Sequence, residues 1–139
     1  MKSLRTLLKL AQRDLETLRR ALAEQISRAA LVSERAAAHE QAILREQTVA
    51  ARDYESQRAY GGYVQLALQG RRSLAAEAET IEQEIERLRA LIAEAHIEMR
   101  KFERLVELEE ARQKAAAEKR ENAELDEFAT LRAGRPSPR

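Results

Sequence analysis

The second half of the chain carries the clearest pattern. Leu74, Ala78, Ile81, Ile85, Leu88, Ile92, Ala95, Met99, Phe102 and Val106 follow alternating steps of four and three. That spacing keeps one face of a helix apolar for more than four heptads and predicts a coiled-coil seam. Glu77, Glu79, Glu82, Glu84, Glu86, Arg87 and Arg89 fall between these positions as a solvated face. The first half is similar but looser. Leu4, Leu8, Ala11, Leu15, Leu18 and Leu22 keep the same steps, and then Ile26 arrives four residues on, where three is due. This predicts a local phase slip. Beyond it the seam is thin and small: Ala29, Val32, Ala36, Ile43 and Ala50. Small seam residues are expected to let the helices approach closely there.

Helix breakers are few. No Gly or Pro occurs in 1–60 or 71–133; they stand at Gly61-Gly62, Gly70, Gly134, Pro136 and Pro138. The glycine pair weakens a continuous helix and falls near mid-chain. The prediction is an all-α protein, a long antiparallel two-helix coiled-coil hairpin. Its first helix covers 1–60, the turn and the start of the second helix cover 61–70, and the second helix covers 71–133. Residues 134–139 are expected to be a disordered tail. Folding about 61–62 sets Leu4 near Lys119 and Leu15 near Leu108. Residues from about 120 then overhang the first helix. This overhang stays helix-prone and carries Leu125, Phe128 and Leu131 at threefold spacing. Apolar side chains on an unpaired helix end are expected to meet a partner.

Composition sharpens this. Of 139 residues, 26 are Ala, 21 Glu, 20 Arg, 18 Leu and 5 Lys, with no Cys and no Trp. The helix formers exceed what already signals a coiled coil, and disulfide scaffolds and Cys-based zinc sites lack their ligands. The formal net charge is only +1. It divides into +3 over 1–60 and −7 over 73–131, which favours pairing of the two segments weakly. Lys2, Arg5, Lys9, Arg13, Arg19 and Arg20 lie on several helix faces, so no nucleic-acid partner is expected. Charges recur too often near the N-terminus for a secretory signal, and no apolar run suits a membrane span. The expected location is cytoplasmic.

Catalytic chemistry is not apparent. Folding about 61–62 sets His39 opposite residue 84, away from His96, so a shared metal site is not expected and both read as surface or seam-edge residues. The carboxylates alternate with arginines at helical spacing and form a solvated face rather than an acid/base pair. Gly61-Gly62 is not followed by the Gly-Lys-Ser/Thr of a phosphate loop. Neither an enzyme nor a cofactor is expected. Tyr54, Tyr60 and Tyr63, the only tyrosines, cluster at the expected turn. They read either as an interface, where tyrosine is enriched, or as rings that close the end of the seam.

The C-terminal third carries a family pattern: Arg100-Lys101-Phe102-Glu103-Arg104-Leu105, then Glu118-Lys119-Arg120-Glu121-Asn122, then Leu125-Asp126-Glu127-Phe128-Ala129. With two helices, a mid-chain break and an overhanging end, the chain resembles the FliJ family of flagellar type III export proteins. Stalk proteins of virulence-type secretion are similar. The resemblance implies a fold like the coiled-coil stalk of rotary ATPases. It also implies three partners: a hexameric export ATPase, the cytoplasmic domain of the export gate, and export chaperones. The protein would then be peripheral at the inner membrane only through those partners. Carried onto this sequence, the ATPase-facing residues are Leu4, Leu8, Leu125, Asp126, Glu127 and Phe128. The gate-facing residues are Tyr54, Tyr63 and Leu66. Gly70 departs from the larger apolar residue the family pattern leads one to expect. A homodimerising adaptor coiled coil fits the same two seams and is the alternative.

Overall fold

The computed structural model describes residues 2–134. They form two helices, α1 (Lys2–Ala50) and α2 (Tyr54–Ala133). The chain divides into two compact units, Asp14–Ala95 and Met1–Arg13 with His96–Arg139. In each unit α1 and α2 run antiparallel, so the expected all-α, two-helix hairpin pairing is the observed fold class. The expected disordered tail at 134–139 lies, apart from Gly134, outside the described residues. Among the described residues, no helix is long and apolar enough to cross a membrane.

The turn is not where the glycines are. It occupies the three residues between the helices, Ala51, Arg52 and Asp53. Ala51 N–H donates to the Gln47 carbonyl at 3.2 Å and Arg52 N–H to the Val49 carbonyl at 3.1 Å, tightening the end of α1. Asp53 then caps α2: its Oδ1 accepts the Ser56 N–H at 2.7 Å. This satisfies one of the backbone donors that a helix start leaves unpaired. Glu55 adds negative charge in the first turn of α2, where the helix dipole favours it. No described residue has positive φ, so this turn needs no glycine.

The expected 61–70 turn is helix instead. Nothing lies within 4 Å of where a Cβ would sit on Gly61 or Gly62, and both positions are exposed. The glycines lower local helix stability without being required by any contact. Neighbouring seam residues hold the helix across them: Tyr60 and Tyr63 are half-buried and Ala67 is buried.

In the unit Asp14–Ala95, Val32, Ile81 and Ile85 form a buried cluster, with Leu22, Ala29 and Leu74 packed against it. The seam of the second half holds as read, with Ile81, Ile85 and Leu88 buried and Leu74 and Ile92 half-buried; Ala78 is exposed. The phase slip expected at Ile26 does not occur. Ile26 is exposed, while Gln25 takes the seam position and is half-buried. The regular steps continue through Ala29, Val32, Ala36, His39 and Ile43. A polar residue at an inward position was the signal missed.

His39 explains Gly70. The His39 Nε2 lies 2.7 Å from the Ala67 carbonyl oxygen, an acceptor, so Nε2–H is the donor. A Cβ on Gly70 would stand 2.8 Å from His39 Cε1 and 3.1 Å from Nε2. Gly70 is therefore the floor on which the ring rests. Beside it Arg71 grips Glu40 with two bonds, Nε to Oε1 at 2.6 Å and Nη2 to Oε2 at 2.8 Å. This pair holds the Glu40 carboxyl below the usual carboxylate range, chiefly through the hydrogen bond from Arg71. Arg35 bonds Glu77 at 2.8 Å in the same unit. The alanine-rich stretch does not close up as expected. It leaves an open cleft of about 340 Å³ lined mainly by Ala29, Val32, Ala36, Leu74 and Ala75.

In the other unit, Ala11 and Val106 are buried and Leu4, Leu8, Met99 and Phe102 are half-buried. Arg5 Nη2 donates to Glu110 Oε1 at 2.9 Å. The expected juxtaposition of Leu4 with Lys119 is thus replaced by Arg5 with Glu110. Every described residue from Glu110 onward is exposed, so the overhang starts about ten residues before the expected 120.

Two predictions follow from this architecture. Gly61→Ala and Gly62→Ala should each stabilise the protein by roughly 0.5–1 kcal/mol, read from the urea midpoint. Gly70→Ala should gain little or lose stability, because it displaces His39, yet should stabilise fully when placed in His39→Ala. Equal effects of Gly70→Ala in both backgrounds would show that the ring does not rest there. Separately, the Ser56 backbone N–H holds the Asp53 carboxyl below its ordinary value. Its contribution to stability is complete above the unfolded carboxylate pKa and is lost as pH falls through the lower folded value. Urea midpoints measured against pH should fall more gently through the acid range in Asp53→Asn, which keeps an acceptor but does not titrate.

Candidate functional site

A surface site on paired helices must come from side chains that the seam does not use. The C-terminal overhang supplies one. Leu125, Phe128 and Leu131 are 59%, 62% and 64% exposed on α2, three residues apart, so one turn stacks on the next. They are not a continuation of the seam. Steps of four and three from Val106 and Glu109 lead to 113, 116, 120, 123, 127 and 130, which places Glu127 on the seam line and Leu125 and Phe128 off it. Residues 121–131 contain Glu121, Glu124, Asp126 and Glu127 and no Lys or Arg. None of these four carboxylates makes an ion pair or hydrogen bond among the described residues. The overhang therefore presents an apolar stripe flanked by uncompensated negative charge.

The other ATPase-facing candidates sit differently. Leu4 and Leu8 belong to the same unit as the overhang, but both are half-buried in the seam. Heptad leucines are engaged in pairing the helices, and the exposed leucines are those out of phase with them. On α1 these are Leu7 and Leu10, 41% and 48% exposed; on α2 they are Leu105 and Leu108, 39% and 46% exposed. Sequence reasoning set Leu108 against Leu15 and took Leu105 only as part of the family pattern, and read none of the four as an exposed contact. Each stands one residue before a seam position, at 8, 11, 106 and 109, and that offset was the available signal.

The turn end belongs to the other unit. Tyr54 opens α2 and is exposed, as is Leu66, whereas Tyr63 is half-buried. The Tyr60 and Tyr63 ring centroids are 6.1 Å apart, with planes inclined by 31°, within the range of favourable aromatic pairs. These two rings border a small cleft of about 170 Å³ with Glu46, Val49, Ala50, Ser56 and Ala59. The reading in which the rings close the end of the seam holds for Tyr60 and Tyr63. Tyr60 and Tyr63 close the seam behind the turn, and Tyr54 with Leu66 stays available to solvent. Leu66 lies twelve residues beyond Tyr54 and about 120° around the helix, so the two are not on one line.

Among the described residues there is no group of three His, Cys, Asp or Glu side chains placed to hold a metal ion, and no buried charged side chain. His39 is engaged with Ala67 rather than facing residue 84. The salt bridges lie at the surface, with only Glu84, Glu103 and Glu109 half-buried among their partners, so each contributes little.

The chain matches the family model described as Flagellar FliJ protein over residues 1–137. No curated protein and no solved structure matches it. The match covers nearly the whole chain, including both helices, the turn and the overhang, and the chain belongs to the FliJ family of flagellar proteins.

Proposed function

We infer from its membership of the FliJ family that this chain is a component of flagellar protein export. We propose that it acts without catalysis of its own, as a coiled-coil stalk whose overhang engages the centre of a hexameric export ATPase. The observation that carries this reading is the overhang: a helix continuing past its partner, with Leu125, Phe128 and Leu131 largely exposed and Asp126 and Glu127 beside them. A ring pore offers identical sites around an axis. A single helix with one apolar face contacts some of those subunits and not others. Any difference in contact energy between open and closed subunits then biases which of them close on nucleotide.

In this reading Leu125, Asp126, Glu127 and Phe128 touch the ATPase. Leu4 and Leu8 act from behind, holding α1 against α2 at the base of the overhang. The opposite end contacts the cytoplasmic domain of the export gate through Tyr54 and Leu66, with Tyr63 supporting the turn. The same exposed helix faces receive export chaperones that have released their cargo. Association with the inner membrane is then indirect, through these partners.

ATPase stimulation tests the reading. Truncation after Asn122 should abolish stimulation of the export ATPase, and Phe128→Ala should reduce it by at least several-fold, as removal of a central aromatic contact does. Helix content should change little with Phe128→Ala. Unchanged stimulation by the truncated protein would remove the overhang as effector. At the other end, Tyr54→Ala combined with Leu66→Ala should weaken pull-down of the gate domain and leave ATPase stimulation intact.

A further inference from the structure

The unit containing the overhang carries a second unpartnered apolar surface. Arg5 is bonded to Glu110, which fixes the antiparallel register there. Two residues on from Arg5 is Leu7, and two residues back from Glu110 is Leu108. Two residues turn a helix by about 200°, so both leucines emerge on the side of the pair opposite the salt bridge. Leu10 and Leu105 come next in the same register and are also partly exposed. The result is one patch of four leucines, two from each helix, along the groove between α1 and α2.

Its rim is basic. Arg13 flanks the patch on α1, and Lys101, Arg104 and Arg112 flank it on α2. Arg13 and Lys101 make no ion pair among the described residues. Arg104 and Arg112 reach only neighbouring glutamates, at 3.6 Å and 3.3 Å. Glu98 near the far end and Glu109, bonded to Arg112, are the acids beside it. A ligand suited to this groove is a helix with large apolar side chains and negative flanks.

The chain itself contains such a helix. The Leu125, Phe128 and Leu131 stripe carries four uncompensated carboxylates and no base between residues 121 and 131. It cannot reach the patch of its own molecule. α2 runs unbroken to Ala133, so Phe128 stands about 30 Å along the axis from Leu108. We propose that the overhang of one copy docks in the four-leucine groove of a second copy, the acidic flanks meeting the basic rim.

The geometry also sets the kind of assembly. Leu105 to Leu125 and Leu108 to Phe128 are both steps of twenty residues, or about 200° about the helix. Patch and stripe therefore lie on nearly opposite faces of α2. Two copies side by side cannot satisfy both contacts at once, so the association is head-to-tail and not a closed pair. Pairing of two stripes with each other is opposed by like charge. The contact involves few large side chains, far fewer than the 20–30 residues a side of a standard interface. It is therefore weak and sensitive to salt. This inference is independent of the ATPase reading, though an overhang held by a second copy is not free for another partner.

Sedimentation of the full chain at rising concentration tests it. The weight-average mass should climb above that of one chain at low salt and return toward it at high salt. Phe128→Glu and the double variant Leu105→Glu/Leu108→Glu should each remain single chains, with helix content retained by circular dichroism. Mixing these two variants should restore association, because one brings an intact patch and the other an intact stripe, and it should stop at two chains. Lys101→Glu offers a milder variant that leaves the leucines in place and should also reduce association. A wild-type chain that stays single at every concentration overturns the proposal. So does association that survives Phe128→Glu, or variants that fail to complement each other while remaining helical.

Discussion

The bond from the Ser56 N–H to Asp53 Oδ1 starts α2, and much else follows from where it starts. A helix of fixed continuity paired against another has its register set by the turn that joins them. Moving the turn from Gly61-Gly62 to Ala51–Asp53 slides α2 along α1. In the other unit Arg5 meets Glu110, and every described residue of α2 from Glu110 onward is exposed. Leu125, Phe128 and Leu131 thus lie well clear of the base of α1.

Register once chosen must also be kept against slipping, because an alanine-rich seam offers few distinctive steps. Polar residues at seam positions do this in coiled coils by making alternative registers unfavourable. His39 has that role here. Its ring needs both the Ala67 carbonyl as acceptor and a residue without a side chain at Gly70. A slip of one heptad would set Tyr63 or Glu77 in the place of Gly70 and leave the ring no room. The Glu40–Arg71 pair beside it reinforces the same alignment, but as an exposed pair it contributes chiefly specificity.

The repeat of α2 could be read directly from Leu74 to Val106, and so could the fold class, because steps of four and three leave little else for such a sequence to form. The turn was not legible by the same route. Gly61-Gly62 is a strong statistical sign of a break, yet its cost is only roughly 1 kcal/mol per glycine. Packing of Tyr60, Tyr63 and Ala67 overcomes it. Asp53, followed by Glu55 and Ser56, is a quieter signal whose effect is structural: it supplies an acceptor that the backbone needs. The candidate contact residues divide in the same way. Phe128 was legible because it lies beyond any partner. Leu7, Leu10, Leu105 and Leu108 were hidden because a leucine-rich helix draws attention to leucines in phase, while exposure belongs to those out of phase.

That an unpaired overhang is helical at all has a physical basis in the common residues rather than the rare ones. Nucleating a helix is costly, while extending one adds a hydrogen bond for each residue fixed. The paired part of α2 has already met the nucleation cost. Beyond Glu110 the chain need only propagate, and Ala115, Ala116, Ala117 and the interspersed Glu, Lys and Arg are residues for which propagation in water is close to neutral or favourable. The stripe is thereby presented in a formed helix before any partner arrives, so binding does not have to supply the ordering of that segment. The composition that makes most of this chain look uniform is what allows three apolar side chains to be held out, in register, at its end.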